Sequence, residues 1–432
     1  MNFATEIKMM PRYCLGFLCT FVTLSVFALT PTDSVILGPG STNMVFYRIS
    51  DGVKTVVPNN DWHLAVTVRP TEFPNAPLGG TTIRYNEAFG VAVYVLPDKD
   101  TTQPIQFSIQ SYPYWPKLHD SDSLLDMGAF NSVRTSDIFD FGWGYYNSVT
   151  HHVVGNKEFL IKLPNGKLKR FKVDKLLYDT AFVLIYSDIN FANQQLITIR
   201  KKDFPGKNFV YLNLETNKIL DKEPPRTEWD LLFLRYTAAK GSSREYEPEV
   251  GVWINKGWSA GRRANTSVLS NDFSGVPLSP SLSAVGWNWK IRTFNTGSRD
   301  AEQNWSYQII DSLAYLLRKG DKNYKLVITG YNPSSEKISF FIEEFLANNV
   351  TETAAEAPIA VFPNPASYLL NIQIPDDQTT LKIFDSYGRM VFQELPAAGL
   401  YQLQVDSWLP GIYFICINNG ISTYTQKVLL VR

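Results

Sequence analysis

The stretch Trp229-Asp230-Leu231-Leu232-Phe233 occurs in a weaker form earlier in the chain, as Trp62-His63-Leu64-Ala65-Val66. Each copy follows an apolar strand-like segment and a turn, and each precedes a long loop. The loop is followed in one case by Ile83-x-x-Asn86 and in the other by Ile254-Asn255. Self-similarity of this kind is the first sign of internal duplication. The sequence therefore predicts two β units built on one plan.

Other features recur in the same order in both halves of the chain. They are the opening strands 45–47 and 210–212, the glycine and tryptophan runs 142–145 and 285–290, the hairpins 159–173 and 314–329, and the strands 195–199 and 337–342. The first hairpin carries an Asn-Gly turn between alternating strands, which is a strong hairpin signal. We expect the first unit at residues 35–202, with an extra insert at 97–131, and the second unit at 205–346.

Composition agrees with an all-β chain that works outside nucleic acid. Aromatic residues make up 14% of the 432 residues, and 26 Gly and 25 Pro are spread along the chain, which favours short strands and many turns. The chain has 41 basic and 41 acidic residues, so a nucleic-acid partner or an anionic membrane surface has no electrostatic support.

The N-terminus has the pattern of a secretory signal peptide. Lys8 and Arg12 precede an apolar segment at residues 13–29, and Val26-x-Ala28 is a suitable cleavage site. We expect residues 1–28 to be removed, although a membrane anchor is the alternative. No other stretch is long and apolar enough to span a bilayer. Cys416 is then the one cysteine of the mature chain, which leaves no intrachain disulfide and no cysteine-based metal site.

The C-terminal part of the chain is expected to be a separate small domain. Residues 347–357 are small, polar and acidic, which is typical of a linker. Residues 358–432 contain six or seven short strand patterns separated by turn residues, which indicates a β-sandwich.

This domain resembles the type A sorting domain of the type IX secretion system of the Bacteroidetes. The motifs that carry the resemblance are Val361-Phe362-Pro363-Asn364-Pro365-Ala366, Leu370-Asn371-Ile372, Ile383-Phe384-Asp385-Ser386-Tyr387-Gly388-Arg389, Leu409-Pro410-Gly411-Ile412-Tyr413-Phe414 and Lys427-Val428-Leu429-Leu430-Val431. The resemblance implies that the type IX machinery is a partner and that the protein is released or attached to the outer-membrane surface. The alternative is a fibronectin-like sandwich without an address function.

The two large units resemble the HmuY family of haem-binding surface proteins from the same bacteria. The resemblance is carried by Trp229-Asp230-Leu231-Leu232-Phe233, residues 252–255, Gly286-Trp287-Asn288-Trp289-Lys290, and residues 315–319 leading into 324–327. In the first unit His63 replaces the aspartate that follows the tryptophan. The resemblance implies an all-β, antiparallel fold whose end loops hold a ligand, haem capture as the function, and an outer-membrane receptor as a further partner.

Haem without a covalent link needs axial His or Met side chains across a flat apolar slot. The candidate axial ligands are His119, His151, His152 and Met127. We expect His119 on one face of the haem and His151 or His152 on the other. The candidate pocket walls are Tyr112, Tyr114, Trp115, Trp143, Tyr145 and Tyr146. The alternative is that these are ordinary loop histidines. His63 lies in a strand and is expected to be packed in the core.

Enzyme signatures are absent, because the chain has no nucleophile elbow, no phosphate-binding glycine loop and no zinc-binding helix motif. We therefore expect a protein that binds haem or another planar small molecule without breaking a bond. The main alternative is a surface module for a glycan or a protein on the same scaffold, and a hydrolase with an unrecognised site is a third hypothesis.

Overall fold

The computed structural model describes residues 33–71, 77–96, 112–240, 245–265, 267–294, 305–345, 361–386, 389–418 and 423–431. The predicted signal peptide, the predicted linker and residues 97–111 of the predicted insert lie outside the described residues. The chain divides into two compact units, residues 1–347 and 348–432. The described residues form antiparallel strands and short 3₁₀ turns without an α-helix, so the predicted all-β class is confirmed. They include no helix with the length and hydropathy to cross a membrane.

The strands of the first unit are short and closely spaced. They are β1 (Asp33–Ile36), β2 (Asn43–Tyr47), β3 (Lys54–Pro58), β4 (Leu64–Thr67), β5 (Ile83–Tyr85), β6 (Ala92–Val95), β7 (Lys117–Leu118), β8 (Gly144–Asn147), β9 (His152–Gly155), β10 (Phe159–Lys162), β11 (Leu168–Leu177), β12 (Ala181–Asp188), β13 (Gln195–Arg200), β14 (Phe209–Asn213), β15 (Lys218–Leu220), β16 (Leu231–Lys240), β17 (Glu245–Ile254), β18 (Ser259–Ala264), β19 (Lys290–Phe294), β20 (Trp305–Ile309), β21 (Leu313–Lys319), β22 (Lys322–Asn332) and β23 (Lys337–Phe345). The 3₁₀ turns are Pro39–Ser41, Pro77–Gly80, Glu87–Phe89, Tyr112–Tyr114, Ala129–Asn131 and Lys201–Asp203.

One hydrophobic core is built by a continuous piece of chain, β4 to β15. Its outer sheet has the order β13-β12-β11-β10-β6-β7, with the β8–β9 hairpin attached to β11. Its inner sheet has the order β15-β14-β4-β5. The predicted Asn165-Gly166 hairpin forms between β10 and β11, and Gly166 takes the positive φ that such a turn needs. Leu64, Phe159 and Phe182 are among its fully buried residues.

The second core combines the beginning of the chain with β16 to β23. Its outer sheet has the order β1-β23-β22-β21-β18, and its inner sheet has the order β17-β16-β2-β3. Tyr47 from β2 packs edge-on against Phe233 and Phe340. The strand pairing therefore does not follow the predicted boundary at residues 202–205, because β1, β2 and β3 complete the sheets formed by β16 to β23.

The two outer sheets share an order when β1 is placed on β13, β23 on β12, β22 on β11, β21 on β10 and β18 on β6. This alignment differs from the predicted match between residues 195–199 and 337–342, because β13 is an edge strand and β23 is not. Both segments alternate apolar and polar residues, so the pattern alone does not distinguish an edge strand from its neighbour.

The two inner sheets carry a core on both faces. Along β2, Val45 faces the second core, whereas Met44 and Phe46 face a third cluster that they share with residues of the other inner sheet, including Phe209. Because successive side chains of a strand point to opposite faces, such strands must be apolar at every position. This third cluster, the central layer, joins the two sandwiches into one unit.

Two buried asparagines make the same set of hydrogen bonds in the two halves. The Asn86 side-chain amide donates to the carbonyl oxygens of Trp62, at 3.2 Å, and of the residue three positions before it, at 2.7 Å. The Asn255 amide donates to the corresponding oxygens at Trp229, at 2.8 Å and 2.7 Å. These asparagines fix the turns that lead into β4 and β16, which explains why an asparagine follows each tryptophan stretch.

The second unit is a β-sandwich of its own. Its strands are β24 (Val361–Phe362), β25 (Leu369–Ile374), β26 (Thr380–Asp385), β27 (Met390–Glu394), β28 (Gly399–Gln404), β29 (Gly411–Asn418) and β30 (Thr423–Leu430). One sheet has the order β24-β25-β28 and the other β27-β26-β29-β30, with Ile372, Ile383 and Ile415 among the residues of the core. The strands lie within a residue or two of their predicted positions.

We expect Asn86→Ala and Asn255→Ala each to lower the free energy of unfolding by about 1–3 kcal/mol, because each leaves two buried carbonyl oxygens without a donor. Chemical denaturation of the chain without residues 1–28 measures the change. Gln194→Ala, in an exposed turn, is the control. A change below about 0.5 kcal/mol in both asparagine variants would contradict the role of these hydrogen bonds.

Candidate functional site

A cavity lies in the central layer, where the two inner sheets face each other. Both tryptophans of the repeated stretch form its walls. Trp62 packs edge-to-face on Tyr211, with ring centroids 5.0 Å apart, and Trp229 packs in the same way on Phe46 at 5.2 Å. The cavity has a volume of about 80 Å³ for the centres of water-sized spheres. The sequence stretch that predicted the repeat therefore supplies the walls of a shared cavity.

Glu223 brings a buried carboxyl group to this cavity. Its oxygens accept hydrogen bonds from the Asn208 side chain at 2.6 Å, the backbone N–H of Phe209 at 2.8 Å and the indole N–H of Trp229 at 3.3 Å. Burial raises the pKa of Glu223 to about 7, even though these hydrogen bonds favour the ionised form and lower it. A carboxyl group that titrates near neutral pH is thus held against the motif tryptophan.

Asp120 is a second buried carboxyl group on the cavity wall. It accepts the backbone N–H groups of Tyr85 at 3.0 Å and Ala129 at 2.7 Å. Burial raises the pKa of Asp120 to about 6, and the Arg84 guanidinium at 3.8 Å acts in the opposite direction. Arg84 is itself held by backbone carbonyls, including that of Ser121 at 2.6 Å. Sequence reasoning missed these groups because no local pattern marks a carboxyl group that only tertiary packing buries.

His119 lies beside this cavity and has structural partners. Its Nδ1 is 2.8 Å from a carboxylate oxygen of Glu87, which lines the cavity and also pairs with Lys117 at 2.7 Å. Burial would raise the pKa of Glu87, but the hydrogen bonds from His119 and Lys117 outweigh it and lower the pKa. The His119 ring stacks on Tyr246, with centroids 3.6 Å apart and an angle of 3° between the planes. Both faces of its chemistry are therefore engaged within the protein.

A continuous set of aromatic rings lies on the surface near the β8–β9 hairpin. We call it the aromatic–histidine surface; its residues are Phe139, Tyr145, Tyr146, His151, His152 and Tyr178. Neighbouring rings in this set have centroids 4.5–6.5 Å apart. Phe139 is 43% exposed and Tyr178 is 61% exposed. Contiguous exposed apolar surface of this kind is typical of a binding site.

The two histidines of this surface differ in their hydrogen bonds. His151 Nδ1 is 2.7 Å from the Tyr146 hydroxyl. His152 Nδ1 accepts the backbone N–H of Tyr178 at 3.3 Å. A neutral His152 that accepts at Nδ1 carries its proton on Nε2, whereas His151 keeps a free Nε2 lone pair if its Nδ1 donates to Tyr146. His151 is therefore the better placed of the two to ligate a metal ion.

The predicted pocket with His119 opposite His151 or His152 is not formed. Through β6 and β10, the strand register aligns β7, which ends just before His119, with β11 near Arg170. The register aligns β9, which begins at His152, with β11 near Leu176. Six residues of strand span about 20 Å, so the two groups cannot ligate one iron atom. The sequence could not show this, because the separation is set by strand register.

The other predicted wall residues do not form one pocket either. Trp143 is 0% exposed, packs in the first core and donates from its indole to the Thr81 carbonyl at 2.8 Å, so it faces away from any surface ligand. Tyr112 is half-buried against Tyr94, whereas Tyr114 is 89% exposed. Trp115 and Met127 are half-buried. His63 is buried, as expected, and accepts the backbone N–H of Leu214 at 2.9 Å.

The motifs at the two ends of the C-terminal unit meet in space. The Asn364 side chain donates to the Lys427 carbonyl at 2.9 Å and accepts the backbone N–H of Leu429 at 2.9 Å. Pro363 and Pro365 flank this asparagine. Gly411 begins β29, and Gly388 lies outside the described residues. The hydrogen bonds of Asn364 explain why the first and last motifs occur together. In the described ranges, no group of three or more His, Cys, Asp or Glu side chains is arranged for a metal ion.

We expect the stability of the protein to fall as the pH rises from about 4.5 to about 7. The pKa of Glu223 is higher in the folded protein than its ordinary value of 4.5, so the folded state binds more protons in this range. Glu223→Gln should flatten this part of the curve of unfolding free energy against pH, which denaturation at several pH values measures.

Asp221→Asn changes an exposed carboxyl group nearby and is the matched control. An equally steep decrease in the Glu223→Gln protein would contradict this assignment.

Comparison with known proteins identifies the C-terminal unit. Residues 360–431 match the family model of the secretion system C-terminal sorting domain. No curated protein matches the chain. Among solved structures, the chain is similar to PorZ, an essential bacterial surface component of the type-IX secretion system of Porphyromonas gingivalis. The identity is 11%, the match covers 66% of this chain and 44% of that chain, and the TM-score is 0.17. This similarity is too low to assign a fold or a function to the first unit. The C-terminal unit is a type IX secretion sorting domain, and the protein is exported and is either secreted or attached to the cell surface of a member of the Bacteroidetes.

Proposed function

We propose that the exported protein is a binding protein that captures its ligand on the aromatic–histidine surface and breaks no bond. The observation that carries this proposal is the contiguous set of six exposed or half-exposed rings on a chain that is exported to the cell exterior. Rings of this kind contribute contact area at a low cost in conformational entropy. Loops and hairpins at the end of a rigid sandwich are a common location for binding residues.

Haem is the first ligand class for this surface. A porphyrin needs a flat apolar platform and an axial ligand. Phe139 and Tyr146 are stacked, with centroids 5.8 Å apart and 15° between their planes, and His151 adjoins Tyr146. A histidine that ligates a metal usually donates its other ring N–H to an acceptor, and the Tyr146 hydroxyl at 2.7 Å is such an acceptor for His151. His151 is therefore our proposed axial ligand, and the family resemblance to HmuY stays a prediction.

A glycan or protein partner is the alternative for the same surface. Tyr145 donates to Asp137 at 2.6 Å, so a carboxylate with a free oxygen lies beside the exposed rings. Sugars bind proteins through stacking on aromatic faces together with hydrogen bonds to polar side chains, and both elements occur here. An outer-membrane receptor of the same cell is a further partner that this surface suits.

We also propose that the two sandwiches arose by duplication, with each half contributing its opening strands to the fold of the other. The matched hydrogen bonds of Asn86 and Asn255 support this proposal. The equivalent packing of Trp62 on Tyr211 and of Trp229 on Phe46 supports it as well. The unit boundaries 35–202 and 205–346 would then mark sequence repeats, while each folded core draws strands from both.

Haemin titration of the chain without residues 1–28 tests haem capture. We expect a shifted Soret band with saturable binding, and at least tenfold weaker binding for His151→Ala, because the axial ligand is lost. His119→Gln changes a histidine that pairs with Glu87 and is the matched control, with unchanged binding expected.

An unchanged haemin spectrum would reject haem and leave the alternative. A glycan array then compares the unsubstituted chain with Tyr178→Ser, and Tyr114→Ser is the exposed control. Equal binding by Tyr178→Ser and the unsubstituted chain in every assay would reject the aromatic–histidine surface as the binding site.

A further inference from the structure

Two polar atoms on the wall of the central cavity have no hydrogen-bond partner among the described residues. They are the hydroxyl group of Tyr236 and the indole N–H of Trp253. Tyr236 is 4% exposed, and its ring lies 5.0 Å from that of Trp253. Both side chains lie on the face of the inner sheet that carries Leu232, because Trp253 is the cross-strand partner of Leu232. Buried polar groups without a partner are rare in folded proteins, so this pair points to a ligand.

Hydrogen-bond donors dominate this side of the cavity. The indole N–H of Trp253 only donates, and the Tyr236 hydroxyl donates as readily as it accepts. The Arg84 guanidinium lies over the Trp253 ring at 5.3 Å and directs N–H groups toward backbone carbonyls. A ligand atom that satisfies Tyr236 and Trp253 together must therefore be an acceptor, which in a small organic molecule is most simply an oxygen atom.

The remaining walls are flat and apolar. Trp62 with Tyr211 and Trp229 with Phe46 form two edge-to-face pairs, one from each half of the unit. Leu232 adds aliphatic surface next to them. Faces and edges of this kind contact a planar ring better than a branched aliphatic group. The cavity is therefore suited to a ligand with an aromatic body.

Charged groups of both signs surround the cavity. Arg84 and Arg235 line it together with Asp120 and Glu223. A charged ligand of either sign would meet a like charge in a water-poor environment, where such repulsion is strong. An uncharged ligand avoids this cost. A volume of about 80 Å³ holds roughly five or more water-sized spheres, so a ligand of about ten heavy atoms fits.

We propose that the central cavity binds a small, planar, uncharged organic molecule whose oxygen atom accepts hydrogen bonds from Tyr236 and Trp253. This site shares no residue with the aromatic–histidine surface, so it does not rest on the proposed function. The chemical class is that of a single aromatic ring with one carbonyl substituent.

Ligand-observed fluorine NMR of the chain without residues 1–28 tests this proposal with three probes. They are 4-fluoroacetophenone, fluorobenzene, which lacks the acceptor, and 4-fluorobenzoate, which carries a charge. We expect saturable binding of the ketone and at least tenfold weaker binding of the other two. Absence of saturable ketone binding would overturn the proposal, since the cavity would then hold only water.

Two substitutions place the ligand in this cavity. Tyr236→Phe should weaken ketone binding at least fivefold and raise the melting temperature, because it removes an unpaired buried hydroxyl group. A purely structural tyrosine would instead lower the melting temperature. Tyr114→Phe, on the exposed surface, is the matched control and should change neither quantity. Ala65→Leu adds a side chain to the cavity wall and should abolish binding in a folded protein. Unchanged ketone affinity in both Tyr236→Phe and Ala65→Leu would overturn the proposal.

Discussion

The pairing of β2 with β16 and of β4 with β14 is the interaction on which the first unit depends. Each pair joins segments that are far apart in the sequence and places them side by side in an inner sheet. Because these strands bury side chains on both faces, each sandwich has a second apolar face to cover. The two inner sheets cover each other, and this contact produces the central layer and unites the two sandwiches.

The central layer also explains the unusual chemistry of its polar groups. Glu223 and Asp120 are removed from water when the inner sheets meet, and burial disfavours their ionised forms. Large rings from both halves meet edge-to-face, as Trp62 and Tyr211 do, and rings in this arrangement leave space between them. A cavity with flat walls and unpaired donors is the consequence of joining two similar sheets through aromatic side chains.

The regions that face the outside have different origins in the fold. The aromatic–histidine surface belongs to the β8–β9 hairpin and the turn after β11, which lie at one end of an outer sheet. The sorting domain is a separate unit whose ends are tied by Asn364. A rigid sandwich can vary such hairpins without loss of its core, whereas the sorting domain must keep the motifs that form its own sheets.

The sequence by itself determined what depends on local pattern. It gave the all-β class, the strands of the sorting domain near their observed positions, and the Asn165-Gly166 hairpin, because alternation and turn chemistry act over a few residues. It also marked Trp62 and Trp229, but without their common cavity. Only the tertiary structure decided that β1 to β3 pair with β16 to β23, that His119 and His152 lie at opposite ends of β11, and that Glu223 is buried. An apolar strand pattern states that a partner is needed and does not state which one, because the choice depends on contacts between segments far apart in the chain.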